Sequence, residues 1–499
     1  MLTIDKNKIW LELAIFTVIE ILSFLSFNHS LLNQAVFMTF VVATLALTIY
    51  DLEYGILIVL GELFIGSLGH LFNLEWGGFS FSIRLSLWVS VMLVFIVQFL
   101  RQIIRQKGKS PYWLSWRNFP GQKLFLLLFV FVAISLLNGL WRGHSLSLIF
   151  TDFNAWIYFF LLGPILAVYG ANDSRRNNRL VTLFFAAALW LSLKTLFLLF
   201  IFTHNIGLAS EIYLWLRKTL VGEMTPTVTG WPRIFIQGQI YSALVFFIVF
   251  WFGQAGLKLN NFFRYRNLGS LLIAGCLLSA VLISFSRSFW VALAGTMFFS
   301  LIFVWRFKSF KAMLAAIFWF IVSGIFSFIF IYLVVAFPYV HLPAEDFSSN
   351  FLARVNSGNN EAALASRWSL LPVLMSEIWR EPILGQGYGA TVTYFSRDPR
   401  ILENNPAGLY TTYAFEWGYL DLWLKLGILG LLAYLWLLFR LMKDACRRGL
   451  VENNPLFLAL SAGVLFLLLT HAFTPYLNHP LGIGYLLISS CLIWPNRVY

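Results

Sequence analysis

Residues 271–304 have the sequence LLIAGCLLSAVLISFSRSFWVALAGTMFFSLIFV, and this stretch decides the fold class. Two apolar runs are separated only by a few serines and aromatic residues and by Arg287. Apolar runs joined by so short a turn predict a helical hairpin in a membrane, where all backbone polar groups must be paired internally. A charge at the centre of a membrane helix costs about 2.5 to 3.5 kcal/mol. Arg287 therefore needs a compensating partner.

The rest of the chain has the same character. Of its 499 residues 60% are hydrophobic and 11% are charged, and the mean hydropathy is +0.78. This composition excludes an ordinary soluble domain and predicts an all-α, polytopic integral membrane protein with about fourteen transmembrane helices. The predicted spans are residues 9–27, 31–50, 53–72, 82–103, 123–141, 146–170, 180–203, 233–253, 269–285, 288–305, 312–337, 416–439, 456–473 and 480–495.

The positive charges predict the orientation of these spans. Lys and Arg accumulate in short connections that all fall on one side of the predicted span order, and such connections are typically cytoplasmic. We therefore expect a multi-pass protein of the plasma membrane with both termini in the cytoplasm. The formal charge of +13 reflects this topology, because no basic domain is present that would hold a nucleic acid. The expected partners include membrane lipids but no nucleic acid.

Two longer connections are predicted outside the membrane, residues 204–232 and 338–415. The larger one contains EAALASRWSLLPVLMSEIWREP, whose apolar residues follow helical spacing and predict an amphipathic helix at the outer surface. Its predicted apolar face consists of Trp368, Leu371, Leu374, Met375 and Ile378. Three glycines then predict a turn that ends the helix, namely Gly385, Gly387 and Gly389.

Four charged residues are expected at the outer face. Arg287 lies in a very short outer turn, Arg233 begins a predicted span, Arg367 lies in the large loop, and Glu416 begins the span that follows the loop. Each also has a structural interpretation: arginines at helix ends extend toward lipid headgroups, and an acid at a helix N-terminus is favoured by the helix dipole. Arg287 fits the structural interpretation least well, because a two- or three-residue turn leaves its side chain little room except along the bundle.

Other polar residues lie in or beside spans and are weaker candidates, because intramembrane polar groups are often functional. They are Glu62, Asp152, Asn154, Lys194 and His471. The sequence contains no HExxH pattern, and its three cysteines have neither metal-like nor paired spacing. We expect neither a metal site nor a cofactor.

The sequence resembles the O-antigen ligase and polymerase family of polytopic glycosyltransferases over roughly residues 225–440. The resemblance is carried by SFSRSFW before an apolar span, by SRWSLLPVLMSEIWREPILGQGYG in a large outer loop, and by FEWGYLDLWLKLGILGLL at the start of the next span. It divides the chain into N-terminal transmembrane helices (1–203), a catalytic region (204–440, including the outer loop 338–415) and C-terminal transmembrane helices (441–499).

The resemblance implies transfer of glycan from an undecaprenyl-pyrophosphate-linked donor to a hydroxyl of a glycan, lipid or protein acceptor at the outer face of a bacterial plasma membrane. It assigns Arg287 and Arg367, together with Arg233, to the pyrophosphate, and Glu416 to assisting the acceptor. Ligases often have His followed by Asn at the position of Glu416 and Trp417, so a Glu there is more similar to polymerase-type members.

The expected reaction is a single displacement with inversion, in which Glu416 accepts the proton of the acceptor hydroxyl and arginines stabilise the pyrophosphate leaving group without a metal. A lipid-linked oligosaccharide flippase is the alternative from another class, although the chain shows no internal repeat of the kind common in transporters. Exposed aromatic residues such as Trp368, Trp379 and Trp417 either stack on sugar rings or belong to the aromatic belt of a membrane protein.

Overall fold

The computed structural model describes residues 6–105, 111–171, 173–227, 231–256, 265–338, 362–396 and 399–496. Parts of two predicted cytoplasmic connections, residues 106–110 and 257–264, lie outside the described residues. So do residues 339–361 of the predicted outer loop. The large loop is therefore described from residue 362 onward.

Helices dominate the described chain. They are α1 (Lys6–Ser26), α2 (Ser30–Tyr50), α3 (Leu52–Ile65), α4 (Ile83–Arg105), α5 (Pro111–Arg117), α6 (Gln122–Trp141), α7 (Leu146–Trp156), a 3-10 turn (Ile157–Leu161), α8 (Leu162–Tyr169), α9 (Ser174–Thr203), α10 (Ala209–Lys218), a second 3-10 turn (Gln237–Gln239), α11 (Ile240–Gly256), α12 (Tyr265–Ile283), α13 (Arg287–Phe307), α14 (Phe310–Ala336), α15 (Ala362–Arg380), α16 (Pro399–Asn404), α17 (Gly418–Val451), α18 (Pro455–His471) and α19 (Pro480–Ile493).

Every predicted span overlaps a helix, although the spans 53–72 and 233–253 extend beyond α3 and α11, and the predicted all-α polytopic membrane fold is confirmed. Within the described residues, nine helical segments are long and apolar enough to cross a membrane, with the consecutive helices of residues 146–169 counted as one. The other five predicted spans coincide with α3, α11, α12, α18 and α19, which do not meet that criterion. The count of fourteen transmembrane helices stays a prediction.

The bundle is organised around helices that are apolar on all sides. Residues 240–247 of α11 are completely buried, and α11 packs against α9, α12 and α18. A helix buried on every side has no use for a polar face, which explains why α11 shows no amphipathic pattern. The peripheral helices α1, α2 and α14 instead expose wide apolar faces, as expected of helices in contact with lipid.

Among the described residues, three antiparallel β-hairpins interrupt the helices, and sequence analysis predicted none of them. The hairpins lie in or next to connections that were predicted to be outside the membrane, and β4 extends into the predicted span 233–253. They pair β1 (Asn73–Trp76) with β2 (Phe79–Ser82), β3 (Glu223–Pro226) with β4 (Pro232–Phe235), and β5 (Val392–Phe395) with β6 (Leu409–Thr412).

The second hairpin corrects one predicted boundary. Arg233 was expected to begin a span, but it lies in β4, opposite Thr225 of β3. The transmembrane helix of this region, α11, begins only at Ile240. The β-branched residues and the prolines of TPTVTGWP favour the hairpin, because proline disfavours a helix interior and a strand can accept it at an edge.

The helix predicted in the outer loop is present as α15, and the glycine turn after it is confirmed. Its packed face, however, is centred on Leu370, Leu374 and Ile378, while Trp368 is exposed. These buried residues contact β5 and α17, so the helix covers its apolar face with protein.

The glycine segment that follows α15 is inserted against a break in α17. At Gly427 the φ angle is +72°, which ends the regular helix there. The carbonyls of Leu424 and Lys425 accept hydrogen bonds from Gln386 and Gly387, at N–O distances of 2.7 and 3.2 Å. The amide of Ile428 in turn donates to the Pro382 carbonyl at 2.9 Å. The inserted segment thus replaces the hydrogen bonds that the helix loses, as an irregular backbone inside a membrane protein requires.

Candidate functional site

The short turn between α12 and α13 is built from serines. Ser284 Oγ donates to the Val281 carbonyl at 2.6 Å and accepts from the Ser286 amide at 3.2 Å. Phe285 between them has a φ of +48° and is completely buried, which anchors the turn. Arg287 is the first residue of α13, and its backbone therefore lies at the N-terminus of a long helix. Such an end favours anions through its amides and its dipole.

Arg233 lies next to this turn, a lateral contact that the sequence did not predict. Its Nε donates to the Ser284 carbonyl at 3.0 Å, and its guanidinium lies 5.4 Å from the centre of the Phe235 ring. The side chain is half-buried. Arg233 therefore brings a second positive charge to the turn and also ties β4 to it.

Arg367 and Glu416 form an ion pair through Nε and Oε2. Arg367 belongs to α15, and Glu416 lies two residues before α17 begins. The side chains are 40% and 52% exposed, so this pair is open to solvent and to ligands. An exposed ion pair contributes only about 0 to 1 kcal/mol, which means that a stronger anionic ligand can replace the carboxylate at Arg367.

The segment after α18 connects the ion pair with the serine turn. Thr474 Oγ1 donates to Ser288 Oγ at 3.0 Å. The neighbouring Phe473 ring lies 6.1 Å from the ring of Trp417, whose indole Nε1 donates to the Arg367 carbonyl at 3.2 Å. Four distant parts of the chain are thereby joined in one continuous set of contacts.

The region that supplies most of this site matches a known family. Residues 272–435 match the family model described as O-antigen ligase. The chain carries an O-antigen ligase domain. The predicted resemblance is confirmed over this region, and the coarser function follows: this is a membrane enzyme that transfers glycan. No curated protein matches the chain.

The matched region of the O-antigen ligase domain contains Arg287, Arg367 and Glu416, whereas Arg233 lies outside it. The contact segment around Thr474 also lies outside. The site is therefore completed by parts of the chain that flank the domain, and their positions follow from the fold.

A buried charge cluster joins α7 to α17, and sequence analysis singled out only one of its members, Asp152. Lys425 Nζ lies 2.8 Å from Asp152 Oδ1 and 2.7 Å from Asp421 Oδ1, and all three side chains are less than 10% exposed. Asn478 Nδ2 donates to the second oxygen of Asp421. The spacing of Asp421 and Lys425, four residues apart in an apolar span, was the sequence signal for this cluster.

The cluster contacts two segments near the ion pair, the residues before Glu416 and the glycine segment after α15. Lys425 Nζ also donates to the Tyr413 carbonyl at 2.9 Å, just before Glu416, and Asp152 Oδ2 accepts from the Gly389 amide at 2.8 Å. Breaking a buried ion pair by removing one partner costs about 3 to 5 kcal/mol. Asp152 therefore has a structural role in positioning the loop.

Two of the other weaker candidates form ion pairs between helices, whereas His471 packs against Gly418, two residues after Glu416. Lys194 pairs with Glu20 at 2.7 Å between α9 and α1, and Glu62 pairs with Arg84 at 2.9 Å between α3 and α4. His471 is completely buried, and its Nδ1 accepts from the Leu477 amide at 3.2 Å. Asn154 is half-buried on α7.

One further histidine borders the connecting segment. Burial lowers the pKa of His479 to about 3, so its ring is neutral at physiological pH. Its Nδ1 accepts from the Leu481 amide at the start of α19, which is a capping role. Among the residues that the structure describes, no group of three or more His, Cys, Asp or Glu side chains is arranged to hold a metal ion.

Proposed function

We propose that the chain is a glycosyltransferase that moves glycan from an undecaprenyl-pyrophosphate-linked donor to an acceptor hydroxyl at the outer face of the bacterial plasma membrane. One observation carries the proposal: within and beside an O-antigen ligase domain, the Arg367–Glu416 pair is joined by contacts to the turn of Arg287. These contacts support the proposal that cations suited to a pyrophosphate and a carboxylate suited to a hydroxyl proton act in one site.

The arginines bind the pyrophosphate of the donor. Guanidinium groups form charge-assisted, bidentate hydrogen bonds with phosphate oxygens, and their charge is permanent. Arg287 adds the N-terminus of α13, whose amides favour the same anion. Arg233 supports the turn through the Ser284 carbonyl and increases the local positive potential.

Donor binding frees the base. A pyrophosphate carries more negative charge than one carboxylate and displaces Glu416 from Arg367. The ionised carboxylate is the form that accepts a proton. Arg367 then serves the donor, and the released carboxylate faces the acceptor.

The chemical step is a single displacement with inversion. The acceptor oxygen forms a bond with the anomeric carbon while the bond from that carbon to the phosphate oxygen breaks. The electron pair leaves with the lipid pyrophosphate, where the arginines stabilise the developing charge, and the hydroxyl proton passes to Glu416. The step needs no nucleotide and no metal ion, so we expect EDTA to leave the rate unchanged.

The proposed location follows from the predicted order of the spans, which assigns the site residues and the hairpins to the same side of the membrane. Those connections are the ones that the Lys and Arg distribution predicts to be outside. A lipid-linked donor with its glycan outside the membrane fits this location, and both termini are then cytoplasmic. The acceptor distinguishes a polymerase from a ligase and from a protein oligosaccharyltransferase.

The test uses purified full-length protein in detergent with lipid-pyrophosphate-linked glycan extracted from the host, with and without a second lipid or protein acceptor. Longer oligomers on the same lipid, detected by mass spectrometry, identify a polymerase, and transfer only with added acceptor identifies a ligase or an oligosaccharyltransferase. No transfer under any of these conditions, together with donor movement across the bilayer of proteoliposomes, would refute the proposal in favour of a flippase.

A further inference from the structure

Three aromatic side chains form a cluster directly beside the proposed catalytic pair. Trp368 follows Arg367 in α15, and Trp417 follows Glu416. Their ring centres are 5.5 Å apart in an edge-to-face arrangement, and Phe473 adds a third ring 6.1 Å from Trp417. We call Trp368, Trp417 and Phe473 the aromatic cluster.

The aromatic cluster is both fixed and open. The indole N–H of Trp417 donates to the Arg367 carbonyl at 3.2 Å, which fixes the plane of that ring. Trp368 rests against it but is 53% exposed, and Phe473 is 42% exposed. Ring faces held in place beside reacting groups are preorganised for a ligand, because little side-chain entropy remains to be lost on binding.

The ligand chemistry follows from the faces of the rings. The face of an aromatic ring carries partial negative charge, and a pyranose ring offers a patch of polarised C–H groups on one side. Such a sugar ring covers the apolar face while its hydroxyls remain in water. The cluster itself contains no charged group, so a flat apolar contact fits it better than an anion.

A second tryptophan pair provides an internal comparison. Trp379, three turns further along α15, lies edge-to-face against Trp423 of α17 at 5.9 Å and is 64% exposed. Trp423 donates its indole N–H to the Pro382 carbonyl at 2.9 Å, as Trp417 does to Arg367. An aromatic belt of the membrane would give both pairs the same role, whereas only the aromatic cluster adjoins Arg367 and Glu416.

We propose that the aromatic cluster is a sugar-binding subsite that stacks a pyranose ring of the glycan beside Arg367 and Glu416. The inference rests on the proposed glycosyl transfer. It names the side chains that hold the reacting sugar in position. The ring belongs either to the donor, next to the pyrophosphate, or to the acceptor, next to the base. The same stacking chemistry serves both.

The experiment compares Trp368→Ala, Trp368→Phe and Trp379→Ala in the transfer reaction, with the KM for donor and the KM for acceptor measured separately. We expect Trp368→Ala to raise one of the two KM values by about threefold to tenfold, as loss of one aromatic contact implies. Trp368→Phe should restore most of the affinity, and Trp379→Ala should match the wild type. The substrate whose KM rises identifies the source of the stacked ring.

A second measurement separates this inference from the proposed function. Glycan released from its lipid by mild acid is titrated calorimetrically into the wild-type protein and both alanine variants, so that binding is followed without transfer. Weaker binding by Trp368→Ala than by Trp379→Ala supports the subsite even if transfer fails. Equal effects of the two alanine variants on KM and on glycan binding would overturn it, even in an active enzyme.

Discussion

The carboxylate of Glu416 forms an ion pair with the guanidinium of Arg367, and the two residues belong to different segments of the chain. The pair links the start of α15 to the residues before α17. In the proposed reaction these two groups need different partners, the pyrophosphate and the acceptor hydroxyl. Their mutual contact therefore corresponds to the site before the glycan donor binds. Glu416 and the pyrophosphate then compete for Arg367.

This competition predicts tighter donor binding when the carboxylate loses its charge. Glu416→Gln should lower the Kd for the lipid-pyrophosphate donor by up to about fivefold, because an exposed ion pair is worth about 0 to 1 kcal/mol. Binding is measured with fluorescent donor by microscale thermophoresis. The matched control is Glu223→Gln, which removes the acid of a similarly exposed pair, Arg217 with Glu223. A weaker donor complex in Glu416→Gln would contradict the competition.

We expect Arg287 to bind the pyrophosphate of the glycan donor through two N–H groups of its guanidinium as well as through its charge. Arg287→Ala should raise the Kd for donor by about tenfold or more, since a hydrogen bond to a charged group contributes about 1.5 to 3 kcal/mol. Arg287→Lys should recover only part of this loss, because an ammonium group cannot bind two phosphate oxygens in one plane. Arg217→Ala is the control at an exposed arginine of α10. Full recovery with lysine would show that charge alone suffices.

The buried charge cluster should stabilise the fold. Lys425→Met leaves Asp152 and Asp421 close together without their cation, and we expect a loss of about 3 to 5 kcal/mol in stability. The midpoint of thermal unfolding in detergent should fall clearly. Lys443→Met, at an exposed position of the same helix, should leave the midpoint unchanged. Equal midpoints for the two variants would contradict the structural role of the cluster.

Gly427 should not tolerate a side chain. Its φ is +72°, and a Cβ there would collide with the Ile383 carbonyl of the inserted segment. Gly427→Ala should therefore destabilise the protein by at least about 1 to 2 kcal/mol from backbone strain alone. Gly324 in α14 has open space around its Cβ position, so Gly324→Ala should be neutral or stabilising by up to about 1 kcal/mol. The unfolding midpoints of the two variants test this difference, which would be absent if α17 could close into a regular helix.

The helices could be predicted from the sequence because the length of an apolar run and the charge of a short loop are local properties of the chain. Arg233, Arg287, Arg367 and Glu416 could be assigned to one depth for the same reason, but depth gives no lateral distance. Their connection depends on Thr474 and Phe473, which lie beyond the large loop in the chain and carry no motif.

The break in α17 escaped prediction for a related reason. Gly427 looks like an ordinary small residue within an apolar span, and only its exchange of hydrogen bonds with residues 382–387 shows that the helix is interrupted. Asp421 and Lys425 did carry a signal in the sequence, because two opposite charges one helical turn apart within an apolar span indicate a buried ion pair. Their third partner, Asp152, is 273 residues away from Lys425 in the chain.

The role of Glu416 as the base is tested most directly by single-turnover transfer with saturating donor, comparing wild type, Glu416→Gln and Glu223→Gln in one preparation. We predict that Glu416→Gln binds donor but transfers glycan about 100- to 10,000-fold more slowly, as expected for loss of a general base, while Glu223→Gln transfers at the wild-type rate. Transfer by Glu416→Gln at the wild-type rate would show that the proton leaves by another route and that Glu416 is not the base.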